Sequence, residues 1–258
     1  MGEELVTARR EGDICVVRLQ REAKLNALSE QMAAHLTDAL ASEAVAGSRV
    51  VVIAGSARAF SAGADLTEFT DPSPEGNIAY YRGPGRIWEL LPELPQPSIA
   101  AISGWAVGGG LELALSADLR IADDTARFKL PEVSLGILPS AGGMSRLVRL
   151  IGTARAKELI LLGDEFGPQR ALELGIVNRV VPAGELDAFV DDWAGRLAAG
   201  PPIALAQTKR LLNDAFQVTL EEALDAEAAA QTVNFGTKDT PEAVAAFVEK
   251  REPTFEGR

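Results

Sequence analysis

A single cysteine and a single histidine stand among 258 residues, and no clean apolar run is long enough to span a bilayer. Cys15 by itself excludes an internal disulfide and favours a reducing compartment. His35 by itself argues against a catalytic serine or cysteine triad and against a histidine-rich metal site. No G-x-x-x-x-G-K-[ST] loop occurs, and the run Gly108-Gly109-Gly110 lacks the G-x-G-x-x-G arrangement, so both common phosphate-cradling fingerprints are missing. Positive charge is also short. Twenty-five Lys and Arg face 37 Asp and Glu, for a formal charge of −12. That balance disfavours nonspecific contact with nucleic acid or anionic membrane, although a local basic patch can still hold a phosphate. The opening MGEELVTARREGD carries no signal-type apolar run and no transit-peptide character, so the cytoplasm is the expected location.

What is present is an alternation of buried-strand and helix patterns, enough for one large domain or one domain with a helical appendage. Residues 98–143 organise it. Ser98 to Ile102 is short, apolar and preceded by Pro97, as suits a strand covered on both faces. Gly104, Gly108, Gly109 and Gly110 then allow close backbone approach. From Gly109 to Ala117 an apolar helical run holds one charge, Glu112. Its N-terminus offers unpaired N–H groups near a carboxylate, and Glu132 follows twenty residues later behind Pro131. Amides beside two acids suit stabilisation of an oxyanion with proton transfer. The same spacing also suits glycines that merely permit helix–strand packing, a Glu112 that caps or pairs, and a Glu132 that starts a turn.

In chain order, Leu5–Arg10 and Ile14–Leu19 flank the turn Glu11-Gly12-Asp13 and predict a hairpin, with Cys15, Val17 and Leu19 on one face. A polar loop with Lys24 and Asn26 precedes a helix from Ser29 to Ser42, striped by Leu28, Met32, Leu36 and Leu40; His35 borders the stripe as a structural or surface residue. Arg49–Ala54 is a buried strand. Ala62-Gly63-Ala64-Asp65 after it places an exposed amide, with Asp65 capping a short helix from Leu66. Residues 71–77 read as a breaker-rich loop that lines a pocket, and Ile78–Leu90 as a helix broken near Gly83-Pro84-Gly85. Tyr80, Tyr81, Ile87 and Trp88 belong to the core or border a pocket. A strand at Asp118–Ala122 follows, then helices from Gly142, from a Thr153 cap, and from Pro168 to Gly175, then a strand at Val177–Val181. Beyond Pro182 the pattern is wholly helical, in segments 185–199, 202–215, 219–235 and 240–250.

The segments AFSAGADL, SGWAVGGGLELALSADLRIA and FKLPEVSLGILPSAGGMSRL, with NALSEQM before them and ALELGIVNRVVP and TPEAVAAFVEKREPTFEGR after, resemble the enoyl-CoA hydratase/isomerase (crotonase) superfamily over nearly the whole chain. The resemblance implies an α/β fold, a spiral of repeated ββα units (residues 1–195) with a helical C-terminal trimerisation region (196–258). It implies an acyl-CoA thioester as substrate, a homotrimer or a homohexamer built as a dimer of trimers, and no cofactor or metal. It implies that the Ala64 and Gly109 amides hold the thioester oxygen and that Glu112 and Glu132 are the catalytic pair. Their joint presence favours hydration of trans-2-enoyl-CoA in fatty-acid metabolism. A Δ3-Δ2-enoyl-CoA isomerase or another lyase of the family is the alternative, and a noncatalytic acyl-CoA-binding protein or a purely structural oligomer the lesser ones. Lys24 is implied for the coenzyme A phosphates, Ala62, Ala64 and Leu66 for the pantetheine and adenine, and Lys250 for a phosphate in another subunit. Ser140 stands where many hydratases carry glycine, and Met144 replaces the threonine of GAGGTQRL; both sit beside the Glu132 loop and bear on acyl preference or loop packing.

Overall fold

Two sheets organise the computed structural model, which describes residues 4–68 and 73–258. The strands are β1 (Val6–Glu11), β2 (Ile14–Leu19), β3 (Val50–Ala54), β4 (Ala59–Ser61), β5 (Ser98–Ile102), β6 (Trp105–Val107), β7 (Leu119–Asp123), β8 (Arg127–Lys129) and β9 (Arg179–Val181). The helices are α1 (Glu30–Leu40), α2 (Glu43–Ala46), α3 (Pro74–Arg82), α4 (Ile87–Glu93), α5 (Gly109–Ser116), α6 (Gly143–Ile151), α7 (Thr153–Leu162), α8 (Pro168–Leu174), α9 (Leu186–Ala198), α10 (Pro202–Asp214), α11 (Leu220–Phe235) and α12 (Asp239–Glu249).

The large sheet has the order β1-β2-β3-β5-β7-β9 and the small one β4-β6-β8. Among the named strand pairs of the described residues, only the β1–β2 hairpin is antiparallel. Each of the pairs β3/β4, β5/β6 and β7/β8 sends its first strand to the large sheet and its second to the small one, and each is followed by helix. That repetition is the expected ββα spiral. The apolar runs of β3 and β5 serve two cores because successive side chains face opposite ways. Val51, Ile53, Ala100 and Ile102 enter the main core, while Val50, Val52, Ile99 and Ala101 meet α9 through Leu186, Val190, Ala194 and Ala198.

Several expectations shift. Residue 195 falls inside α9, whose apolar face stays on the large sheet to Ala198. Helix α3 begins at Pro74, earlier than Ile78, because Ser73 caps it through the Gly76 N–H at 3.0 Å and proline suits its first turn. Part of the 71–77 loop is therefore helix, and Asp71 and Pro72 lie outside the described residues. Thr153 is the first residue of α7, with Gly152 in the cap position. The short elements α2, β4, β6 and β8 are additions to the sequence reading. The hairpin, the α1 stripe and the buried Cys15–Val17–Leu19 face stand as expected. His35 is structural: its Nδ1 accepts the Leu5 N–H at 3.2 Å.

Among the described residues no helix is long and apolar enough to cross a membrane.

Candidate active site

Strands β4 and β6 are parallel neighbours, with Ala59 opposite Trp105 and Ser61 opposite Ala106, so their C-terminal ends open on one edge. Ala62–Asp65 leaves the first and Gly108–Gly109 the second. Gly63 has φ +85°, and a side-chain carbon there would lie 2.5 Å from the Val107 oxygen and 3.2 Å from the Gly109 nitrogen. A carbon on Gly109 would stand 3.6 Å from the Ala64 nitrogen. The two backbone nitrogens thus lie close together, and neither N–H has an acceptor among the described residues. Gly109 opens α5, so its amide is one of the helix's orphan donors.

The Ala64 loop is held by the segment before α1. Leu28 pairs with Ala64 as a parallel bridge, donating its N–H to Gly63 O at 2.7 Å and accepting from Asp65 N at 3.1 Å. Buried Asn26 donates to Ala59 O and Phe60 O, and Ser61 Oγ donates to Asn26 O at 2.8 Å. Asp65 accepts from the Thr67 N–H and hydroxyl and from Arg21 Nη1 at 2.6 Å, which lower its pKa to about 2. It caps the short helix as expected. Asn26 and Arg21 were legible only as loop polarity.

Glu112 lies in the first turn of α5 and is buried. Its Oε1 accepts the N–H of Ala141 at 2.9 Å and of Gly143 at 2.8 Å. Burial raises its pKa to about 7, helped by the charge of Glu132 and opposed by those two N–H groups and by Arg146. Glu132 opens the 3-10 turn after β8 and is also buried, which pushes its pKa up. Its Oε1 is 2.7 Å from where a Gly108 side-chain carbon would stand. Its Oε2 has no hydrogen-bond partner among the described residues. An unpartnered buried oxygen is costly. The four residues Ala64, Gly109, Glu112 and Glu132 therefore come together around the Gly108 turn.

Trp88 packs in the core, but its Nε1 also donates to Gly109 O at 2.8 Å, and the Tyr80 ring meets it edge-on. Ser140 shares a hydrogen bond with the Tyr81 hydroxyl, which ties α3 to the loop that serves Glu112. Met144 is exposed.

Lys24 is exposed at the end of the 3-10 turn Glu22–Lys24. Its neighbour Leu25 accepts the Ala62 N–H at 2.9 Å, so Lys24 sits beside the strip Ala62, Ala64 and Leu66. Leu66 is exposed on that strip. Lys250 sits at the end of α12, and no hydrogen bond or ion pair joins it to these residues.

Residues 9–258 match the family described as Enoyl-CoA hydratase/isomerase. The chain is 36% identical over 256 residues to the 2,3-dehydroadipyl-CoA hydratase of Escherichia coli (strain K12), covering 99% of each. It is 37% identical over 250 residues to a short-chain-enoyl-CoA hydratase of Clostridium acetobutylicum, covering 95% of each. The crystal structure of an enoyl-CoA hydratase from Bacillus anthracis superposes with a TM-score of 0.92 at 38% identity, covering 98% of this chain and 100% of that one. With the spiral fold and full-length likeness together, this chain belongs to the enoyl-CoA hydratase/isomerase family.

Proposed function

We propose that the protein is an enoyl-CoA hydratase, adding water reversibly to a trans-2-enoyl-CoA to give the 3-hydroxyacyl-CoA. The observation that carries this reading is the pair of buried carboxylates, Glu112 and Glu132, on the same glycine turn as the Ala64 and Gly109 amides. Two buried acids that feel each other's charge tend to hold one proton between them. Glu112 accepts two N–H bonds, which favour its ionised form, while Glu132 Oε2 has none, which favours the acid. Hydration uses the form in which Glu112 is ionised and Glu132 carries the proton.

In the hydration step the water oxygen bonds to C3 as Glu112 takes its proton. The C2–C3 π pair shifts toward the thioester, whose oxygen gains charge between the two amides; losing one such donor costs roughly 3–4 kcal/mol in other enzymes. Glu132 gives its proton to C2, and the proton on Glu112 returns to Glu132 before the next turnover. Coenzyme A enters as part of the substrate, with Lys24 toward its phosphates and Ala62, Ala64 and Leu66 along its pantetheine and adenine. No cofactor is required.

The proposal extends to assembly as a trimer or a dimer of trimers in the cytoplasm. Leu212 of α10, Phe216 of the turn after it, Leu220 and Phe235 of α11, and Phe247 and Val248 of α12 are all more than half exposed in the single chain, an apolar surface suited to a second copy. Sedimentation as a monomer at micromolar concentration would reject that part.

The activity test follows loss of the conjugated enoyl absorbance with a panel of short, medium, branched and aromatic trans-2-enoyl-CoAs, with 3-enoyl-CoA as the isomerase control. Hydration of at least one 2-enoyl thioester is expected. Turnover of the 3-enoyl thioester alone would replace the hydratase reading with the isomerase one.

A further inference from the structure

Helix α4 contains Pro92, which has no N–H to give to the carbonyl four residues earlier, that of Trp88. Arg146 of α6 supplies the missing donor: its Nη2 meets Trp88 O at 2.7 Å. The other arm, Nη1, donates to Ala141 O at 2.9 Å. Gly142, at φ +97°, leaves the space that the guanidinium fills; a side chain there would collide with it.

Both residues that Arg146 grips act on the site. The Ala141 N–H donates to Glu112, and the Trp88 indole donates to Gly109 O. One planar fork therefore ties the loop that serves the carboxylate to the helix that braces the oxyanion turn. A lysine ammonium keeps the charge but lacks the rigid two-armed reach.

We propose that Arg146 is a positioning residue that holds Glu112 and the Gly109 amide in one register for reaction. The proposal rests on the hydratase reading above. The charged and titratable groups around this fork are Glu132 from the turn after β8 and Tyr80 from α3, which face Glu112, and Glu89 of α4, Arg120 of β7 and Arg149 of α6, which face Arg146.

The test compares wild type, Arg146→Met, Arg146→Lys and Trp88→Phe for kcat and KM on crotonyl-CoA across pH, with melting temperature alongside. R146M is expected to lose roughly tenfold to a hundredfold in kcat with little change in KM, the scale of a misplaced reacting group. Its acidic limb moves to higher pH, because the positive charge favouring ionised Glu112 is gone. R146K restores the limb while recovering only part of kcat. W88F lowers kcat without moving the limb. If R146M does not fold, R146K and W88F decide the matter by the same criteria. An unmoved limb in R146M, or wild-type kcat in both R146K and W88F, overturns the proposal while the hydratase reading stands. A wild-type protein that hydrates no 2-enoyl thioester removes the hydratase reading itself.

Discussion

Gly108 and Glu132 are fitted to each other: a side-chain carbon on Gly108 would stand 2.7 Å from Glu132 Oε1, and Gly108 already has φ +51°. Alanine there is strained in the backbone and displaces the acid at once. Gly108→Ala is expected to lower kcat for hydration by about a hundredfold, the scale of an ångström's misplacement of a reacting group. Steady-state kinetics on crotonyl-CoA checks this, and wild-type turnover in G108A would show that Glu132 has room to move.

Glu112 sets stability against activity. Burial first, then the charge of Glu132, raises its folded pKa to about 7 from an ordinary 4.5. The native state thus binds more protons than the unfolded chain between those values, so stability falls as pH rises through that window and stays lower above it. Glutamine at 112 still accepts the Ala141 and Gly143 N–H bonds but never ionises. Glu112→Gln is expected to lose hydration by about a hundredfold or more. It should also be more stable than wild type at pH 8 by roughly 1–3 kcal/mol, with no such gain at pH 4. Urea unfolding at the two pH values reads the difference, and a variant weaker than wild type at pH 8 contradicts it.

The same linkage bears on rate. Because the ionised form of Glu112 accepts the water proton, kcat/KM for the wild type is expected to fall as pH drops through about 7. A profile flat from pH 8 to pH 5 would exclude Glu112 as the base.

Lys209 latches the C-terminal helices to the core. Its buried Nζ lies 2.8 Å from Asp118 Oδ2 and donates to Leu91 O at 2.8 Å and Gln96 O at 2.9 Å. Lys209→Met strips a half-buried carboxylate of its cation and two carbonyls of their donor. A loss of about 3 kcal/mol in unfolding free energy is expected. An unchanged denaturation midpoint would mean that the latch contributes nothing net.

Much of this was legible in the residues. The apolar runs at Val50–Ala54 and Ser98–Ile102 are strands because both faces are covered, and an acid alone among Leu111, Leu113 and Leu115 is buried. Strand β6 was not legible, since three residues between glycines become a strand only through neighbours β4 and β8. Nor was the service of the Ala141 and Gly143 amides to Glu112, because a backbone N–H looks alike at every residue. Arg146 stands in the sequence as one more residue of the helix from Gly142. Its task depends on a carbonyl freed by Pro92, 54 positions before it in the chain.

Patterning and residue chemistry alone determined the longer strands and helices, the glycine turns, the placing of two acids and the absence of an internal disulfide. The partners of those groups were decided only in three dimensions: which amide faces which carboxylate, and which oxygen is left without a donor. A buried polar atom is satisfied by whatever strand ends and loops the sheets bring beside it, and that adjacency is a property of the folded chain.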